Sequence, residues 1–508
     1  MAPPERSTPR TLLEQLIQDS DRTVEEHCAD FEMCARELDE RGASLSVRQL
    51  GRWMAGEVDN ARPQSRRVAK ALWGHGFREL LAGPRVPVDR TRGESAYVPS
   101  ANLLSCVGQN DELTPRILPV QAADMPVQAA DNGGSESVIS APKGRFFSGA
   151  TIPVRVYHAI DDGRILAALP PGFIDEPFLS QSRRALIVGV TPDDEGDTTA
   201  YGIDVRHARR KLTRRASRRL ILSRSLVLDD LTLGLLWALA NFDEPLLDDD
   251  AALAYWRQQL SPFRAMSRSS GGHEIAADLS RVSQMWLGSS FCAEHILRNL
   301  SSIDVATFWT REQRGEEASA WLLFAHKYRY LQETSELYRK ASESPSRAFC
   351  VPADTVSEST RPERILLMLA IALMESFGIR THISGEPEYS VLDGFVRQRR
   401  RRAIVANWVG AEGVWYVDSI GSGARLAEFD DATQYAQAHS ITSAETSRAR
   451  LGRLAEYLGL DLRWLSDRCR QLGEYGVSPL IQPRSRLLSI DGIQRACACL
   501  GQLSGLQE

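Results

Sequence analysis

No apolar run is long enough to cross a bilayer: the two most apolar stretches, 231–242 and 365–374, fall well short of the roughly 20 residues a spanning helix needs. No secretory core follows Met1–Arg10, because Glu14, Gln15 and Gln18 interrupt the next stretch, so a cytoplasmic location is expected. The eight cysteines form no CxxC pair and no Cys/His ligand spacing, and Cys497 and Cys499 diverge on a helix. Reduced structural thiols and no metal are therefore expected. Gly-Lys-Ser/Thr loops, GxGxxG, HExxH and GxSxG are all missing, which leaves no cofactor and no catalytic residue to assign. A basic excess is missing too. The net charge of −5 excludes a histone-like coat, but not a DNA-binding module, since charge can be segregated along a chain.

What is present is globular: 43% hydrophobic and 25% charged residues, enough for a real core. The length predicts roughly three to four domains. Residues 1–83 read as an all-α domain. Residues 84–144 are rich in Pro, Gly, Ser and Ala, contain PVQAADM followed by PVQAAD, and read as a flexible, disordered linker. A large, mostly helical α+β region follows. It divides into an α/β segment with a basic helix (145–264), a helical segment (265–345), an α+β core (346–430) and a helical tail (431–508). Short β-like runs are placed at 151–158, 164–169, 185–190 and 199–204.

Charge is split inside the first domain. Residues 11–41 carry three Arg/Lys against ten acidic residues, and residues 44–92 carry ten against four. Periodicity gives a helix on Leu12, Leu13, Leu16 and Ile17. A second is capped by Thr23 with Glu26 and turns Val24, Cys28, Phe31, Ala35 and Leu38 inward. Ser46 caps a third, with Val47, Leu50 and Met54 inward, Arg48, Gln49 and Arg52 outward, and Gly56 as its stop. Pro63 opens a fourth helix on Val68, Ala71 and Leu72. Phe77, Leu80 and Leu81 close the bundle.

The run S46-VRQ-L50-GRW-MAG56, followed by P63-QSRR-V68-AKALWG, resembles the third and fourth helices of the Cro/phage-repressor type (XRE-family) helix-turn-helix. Two departures are a longer second helix, which bears on the inter-helix turn, and Gly51 inside the reading helix. The resemblance implies double-stranded DNA as partner. Arg pairs bidentately with guanine and Gln with adenine, so Arg48, Gln49 and Arg52 are the base-reading candidates. Ser46, Arg62, Arg66, Arg67 and Lys70 are the phosphate-contacting candidates.

In the large region, 206–224 reads as one helix. Arg206, Arg210, Arg214 and Arg218 recur every four residues over an Ala208, Leu212, Ala216 and Leu220 stripe. They form a possible second basic surface, with a solvated face or a subunit contact as alternatives. Residues 363–378 read as a buried helix, RTHIS and YSVLDGFV as strands, and AIVANWVGAEGVWYVDSI as a hairpin turning at Gly410 to Gly413, with Arg399–Arg402 as an exposed turn before it. That order weakly resembles the core of transglutaminase-like, papain-related domains. The family's cysteine and histidine places hold no such residues here and only Asp418 fits the third, which implies a catalytically dead core. Cys292 with His295, His382 and Asn407 is an alternative catalytic set. The run with Glu312, Arg314, Glu316 and Glu317 reads as the solvated first turn of a helix reaching Tyr338. Helices around Trp286, Trp309 and Trp321 read as core.

The expectation is a non-enzymatic transcriptional regulator: a sequence-specific DNA-binding module with a C-terminal regulatory and oligomerisation region. A homo-oligomer is expected, with no membrane partner, and an unknown small molecule or protein as the ligand of that region. The alternatives are a cysteine hydrolase or acyltransferase using Cys292, and a protein-interaction scaffold that has lost DNA binding.

Overall fold

The computed structural model describes residues 9–83 and 134–503, apart from 21, 39, 41–42, 59–60, 74, 171, 193–197, 216–218, 301–302, 304–305, 312, 340–343, 399–400, 410–412 and 422. Most of the expected linker lies outside the described residues.

Five helices form the N-terminal bundle: α1 (Leu12–Asp19), α2 (Val24–Glu37), α3 (Val47–Met54), α4 (Pro63–Trp73) and α5 (Phe77–Leu80). Their ends follow the local chemistry. Thr23 and Glu26 exchange hydrogen bonds as a capping box, Ser46 Oγ accepts from Gln49 N, and Gly56 turns the chain out of α3 at φ +69°. The inward faces are partly rephased. Leu50 and Trp53 fill the core from α3 while Val47 is exposed; from α4, Val68 and Ala69 are buried while Ala71 is exposed, and Leu38 is exposed beyond the end of α2. The reason is volume: Trp53 meets Phe77 edge-on at 4.8 Å and Phe31 at 6.0 Å, contacts that Val47 is too small to make.

The linker ends earlier than its composition suggests. Residues 135–141 form β1 (Ser135–Ala141), antiparallel to β2 (Ala150–Asp161) from Ser135↔Val156 to Ala141↔Ala150. With β3 (Ile165–Ala168), β4 (Leu186–Pro192), β5 (Thr198–Asp204) and β6 (Arg219–Leu222) they make a six-stranded sheet, ordered β5-β4-β2-β3-β6 with β1 also on β2. The basic run is not one helix. It comprises α6 (Val205–Arg215) and then β6, which pairs with β3, because Leu220 and Leu222 complete a sheet core that a continuing helix would leave open.

The chain continues through α7 (Asp230–Asp248), α8 (Asp250–Gln259), β7 (Ser269–Gly271), α9 (Arg281–Leu300), β8 (Thr307–Thr310), α10 (Gly315–Leu323), α11 (Ala325–Tyr338), β9 (Ser346–Cys350) and α12 (Ala353–Glu358). There follow α13 (Arg361–Ser376), β10 (Arg380–Ser384), β11 (Phe395–Gln398), β12 (Arg402–Asn407), β13 (Trp415–Ile420), α14 (Gly423–Ala438), α15 (Ser447–Tyr457), α16 (Leu462–Tyr475), α17 (Ser478–Ile481) and α18 (Asp491–Gly501). The second sheet has seven strands in the order β10-β9-β8-β11-β12-β13-β7; β8, β9 and β10 run parallel and the other neighbouring pairs antiparallel. Helix α13 is apolar all round and buried from Ile365 to Glu375, among α7, α10 and α18. One continuous apolar core runs from Ile139 to Leu500 and draws on all four stretches expected after the linker.

Three readings in this region are corrected. Of the second expected strand, YSVLDGFV, only Phe395 and Val396 are extended, at the start of β11, since Pro387–Val391 forms a 3₁₀ turn. The acidic turn at α10 is not solvated. Glu316 accepts from Phe146 N and Phe147 N at 3.0 Å each, and Glu317 pairs with Arg145, because the β1–β2 connection lies over the start of the helix. Trp309 is core as expected, but on strand β8 rather than on a helix.

Candidate nucleic-acid interface

Helix α3 is held from behind. Leu50 and Trp53 are buried, Ser46 caps its start, and Thr11 Oγ1 donates to Met54 O at 2.8 Å at its end. On the outer side Arg48, Gln49 and Arg52 are all exposed, within about 100° of arc at the helical spacing. Arg52 has one exposed partner, Glu57, at 3.8 Å. Ser46, Arg62, Arg66, Arg67 and Lys70 are exposed as well. Arg67 is engaged, with Nη2 donating to Glu40 Oε2 at 2.9 Å, and it holds the Glu40 carboxyl below its usual range. Residues 38–46 join α2 to α3 as a connection of nine positions, against about three or four in a helix-turn-helix.

Of the second basic surface, Arg206, Arg209 and Arg210 are exposed on α6 above buried Ala208 and Leu212. Arg218 lies outside the described residues, and so does the side chain of Arg214.

Of the Cys292 set, Cys292 meets Asn407 through the latter's backbone, and His382 stands apart from them. Cys292 is buried on α9, its Sγ donates to the backbone oxygen of Asn407 at 3.3 Å, and burial pushes its thiol up to about 12, away from a reactive thiolate. Burial pulls His295 and His382 down to about 4, and His382 on β10 stands four strand spacings, roughly 19 Å, from Asn407 on β12. The helix packed on the β12–β13 hairpin is α9, not α13.

Asp418 has a different employment. It is buried, accepts from Arg268 Nε at 3.0 Å, Tyr416 Oη at 3.1 Å and Ser419 N at 2.8 Å, and so holds Arg268 in place. Arg268 Nη1 donates in turn to Leu81 O at 2.6 Å, tying the end of α5 to the seven-stranded sheet. Sequence patterning offers no signal for this seam, whose partners are 187 and 150 residues apart. Arg268→Ala is expected to speed amide hydrogen exchange over 77–82 and 268–271 by about 10-fold or more, from losing a hydrogen bond to a charged group. Unchanged exchange there would show that the seam is held by other contacts.

No family model matches the chain, and no curated protein or solved structure matches it either.

Proposed function

We propose that the chain is a sequence-specific DNA-binding regulator. In this reading α3 enters the major groove and Arg48, Gln49 and Arg52 meet base edges. Arg62, Arg66 and Lys70 hold phosphates, and Arg67 joins them when it leaves Glu40. One eight-residue helix makes too few contacts for tight specific binding, so two copies acting on paired half-sites belong to the proposal, with the large C-terminal region as the regulatory and pairing part. The observation that carries the reading is a capped helix, locked by Leu50 and Trp53, whose outward residues are two arginines and a glutamine in open solvent.

The nine-position connection favours a second reading, in which the same face binds a protein. Selection from randomised duplex DNA by the full chain separates the two. Enrichment of a short motif, or of an inverted pair of motifs, supports DNA reading. Uniform recovery of all sequences rejects it.

A further inference from the structure

Six cationic side chains are buried among the described residues: Arg184, Lys327, Arg347, Arg397, Arg450 and Arg468. Four are matched by carboxylates: Arg184 by Asp204 and Asp243, Arg397 by Asp430, Arg450 by Glu375 and Arg468 by Asp229. Lys327 on α11 and Arg347 on β9 have no such partner, and both line one cavity of about 530 Å³, solvent at its mouth included. Burying a cation without a counter-ion is costly, and the other four buried cations of the described residues avoid it. The exception is therefore informative.

The walls make the same point. Lys327 Nζ sits over the rings of Trp321 at 4.1 Å and Trp408 at 5.2 Å. The Arg347 guanidinium lies over Phe308 at 4.6 Å and Trp321 at 4.9 Å, with Nη1 donating to Thr310 Oγ1 at 2.8 Å. Aromatic faces support a cation without neutralising it. Three further donors of cavity-lining residues are buried without an acceptor: Arg347 Nε, Trp309 Nε1 and Trp321 Nε1. Burial, with Arg347 nearby, pulls the Lys327 ammonium down to about 7, the mark of a cation lacking compensation; Cys292 opposes the shift. Among the described residues the lining carries three cationic side chains and no carboxylate; its acceptors for Arg347 are the neutral Thr310 Oγ1 and Tyr330 Oη, the latter at 3.3 Å.

We infer that this cavity binds a small organic anion, its carboxylate or phosphate head between Lys327 and Arg347 and its body against Trp309, Trp321 and Trp408. A second cavity, of about 940 Å³, shares Arg311 and Asn407 with the first and reaches Arg78, Glu79 and Ala82 of the N-terminal bundle. Two of its arginines are already matched there: Arg311 and Arg425 pair with Asp393 at 3.5 and 3.1 Å. The inference stands on the C-terminal region alone and does not require DNA binding.

The test is titration of the full chain with benzoate and with phenyl phosphate, read by tryptophan fluorescence and calorimetry. Saturable binding of one or both below about 1 mM is expected. Which one binds more tightly distinguishes a carboxylate from a phosphate ligand. Lys327→Met and Arg347→Met should each weaken binding by about 10- to 100-fold, as expected for loss of a charge-assisted hydrogen bond. Arg347→Lys should retain part of it. Without ligand, Lys327→Met should melt no lower than the wild type, because methionine fills the space and removes the uncompensated charge; a purely structural lysine would give the opposite. Absence of saturable binding by both probes, or equal binding by Lys327→Met, overturns the inference.

Discussion

Alanine at position 184 is expected to lower the stability of the C-terminal region by about 3–5 kcal/mol, the range for breaking a buried ion pair from one side. Arg184 donates to Asp204 Oδ2 at 3.1 Å, Asp243 Oδ2 at 2.8 Å and Gln482 O at 2.8 Å. One guanidinium thus joins the end of β5, the middle of α7 and the chain just after α17. Asp243 also accepts from Arg484 N and Ser485 N, each at 2.8 Å. Truncation leaves two buried carboxylates without their ion-pair partner, with the half-buried Arg484 still in electrostatic reach of both. Urea unfolding followed by far-ultraviolet circular dichroism should show a lower midpoint at an unchanged slope. Lysine at 184 should recover only part of the loss, since it reaches fewer of these acceptors. A midpoint unchanged by alanine would mean that water solvates this site in solution.

Replacing Arg48 and Arg52 together by alanine should cost about 2–6 kcal/mol in binding to a selected DNA site, at about 1–3 kcal/mol for each bidentate base contact. Both side chains are exposed and neither has a buried partner, so the double variant should melt like the wild type. That separation is the value of the experiment. Fluorescence anisotropy against the selected and a scrambled duplex should show the two affinities converging. Arg66→Ala should weaken both duplexes alike and flatten the salt dependence by about one unit of slope. Retention of full preference by the double variant would move the reading surface elsewhere, first to α6.

Features decided within a few residues were legible in the sequence: the Thr23–Glu26 box, the Ser46 cap, the Gly56 stop and the outward set Arg48, Gln49 and Arg52. The phase of α3 was not, because eight residues hold two turns and both Val47 and Trp53 fit an apolar stripe. Glu316 and Glu317 follow the local rule for a helix start correctly, yet their burial is imposed by Phe146 and Phe147, about 170 residues earlier. The basic run keeps helical periodicity through Leu220, while strand β3 recruits Arg219–Leu222 into the sheet. Lys327 was invisible for the same reason. Its neighbours in AHKYRY are polar or charged, and its cage is closed by Trp408, which comes from a separate strand connection.

The Leu81–Arg268–Asp418 seam places α5 at the rim of the outer cavity, where Arg78, Glu79 and Ala82 form part of its wall. The rim is therefore made by two bodies, not one. Any solute whose residence there depends on the wall being complete favours the seated bundle, and a seated bundle must favour that solute by the same factor. An event in the interior and an event at the amino-terminal surface would then share one equilibrium, and each would be measurable from the other side.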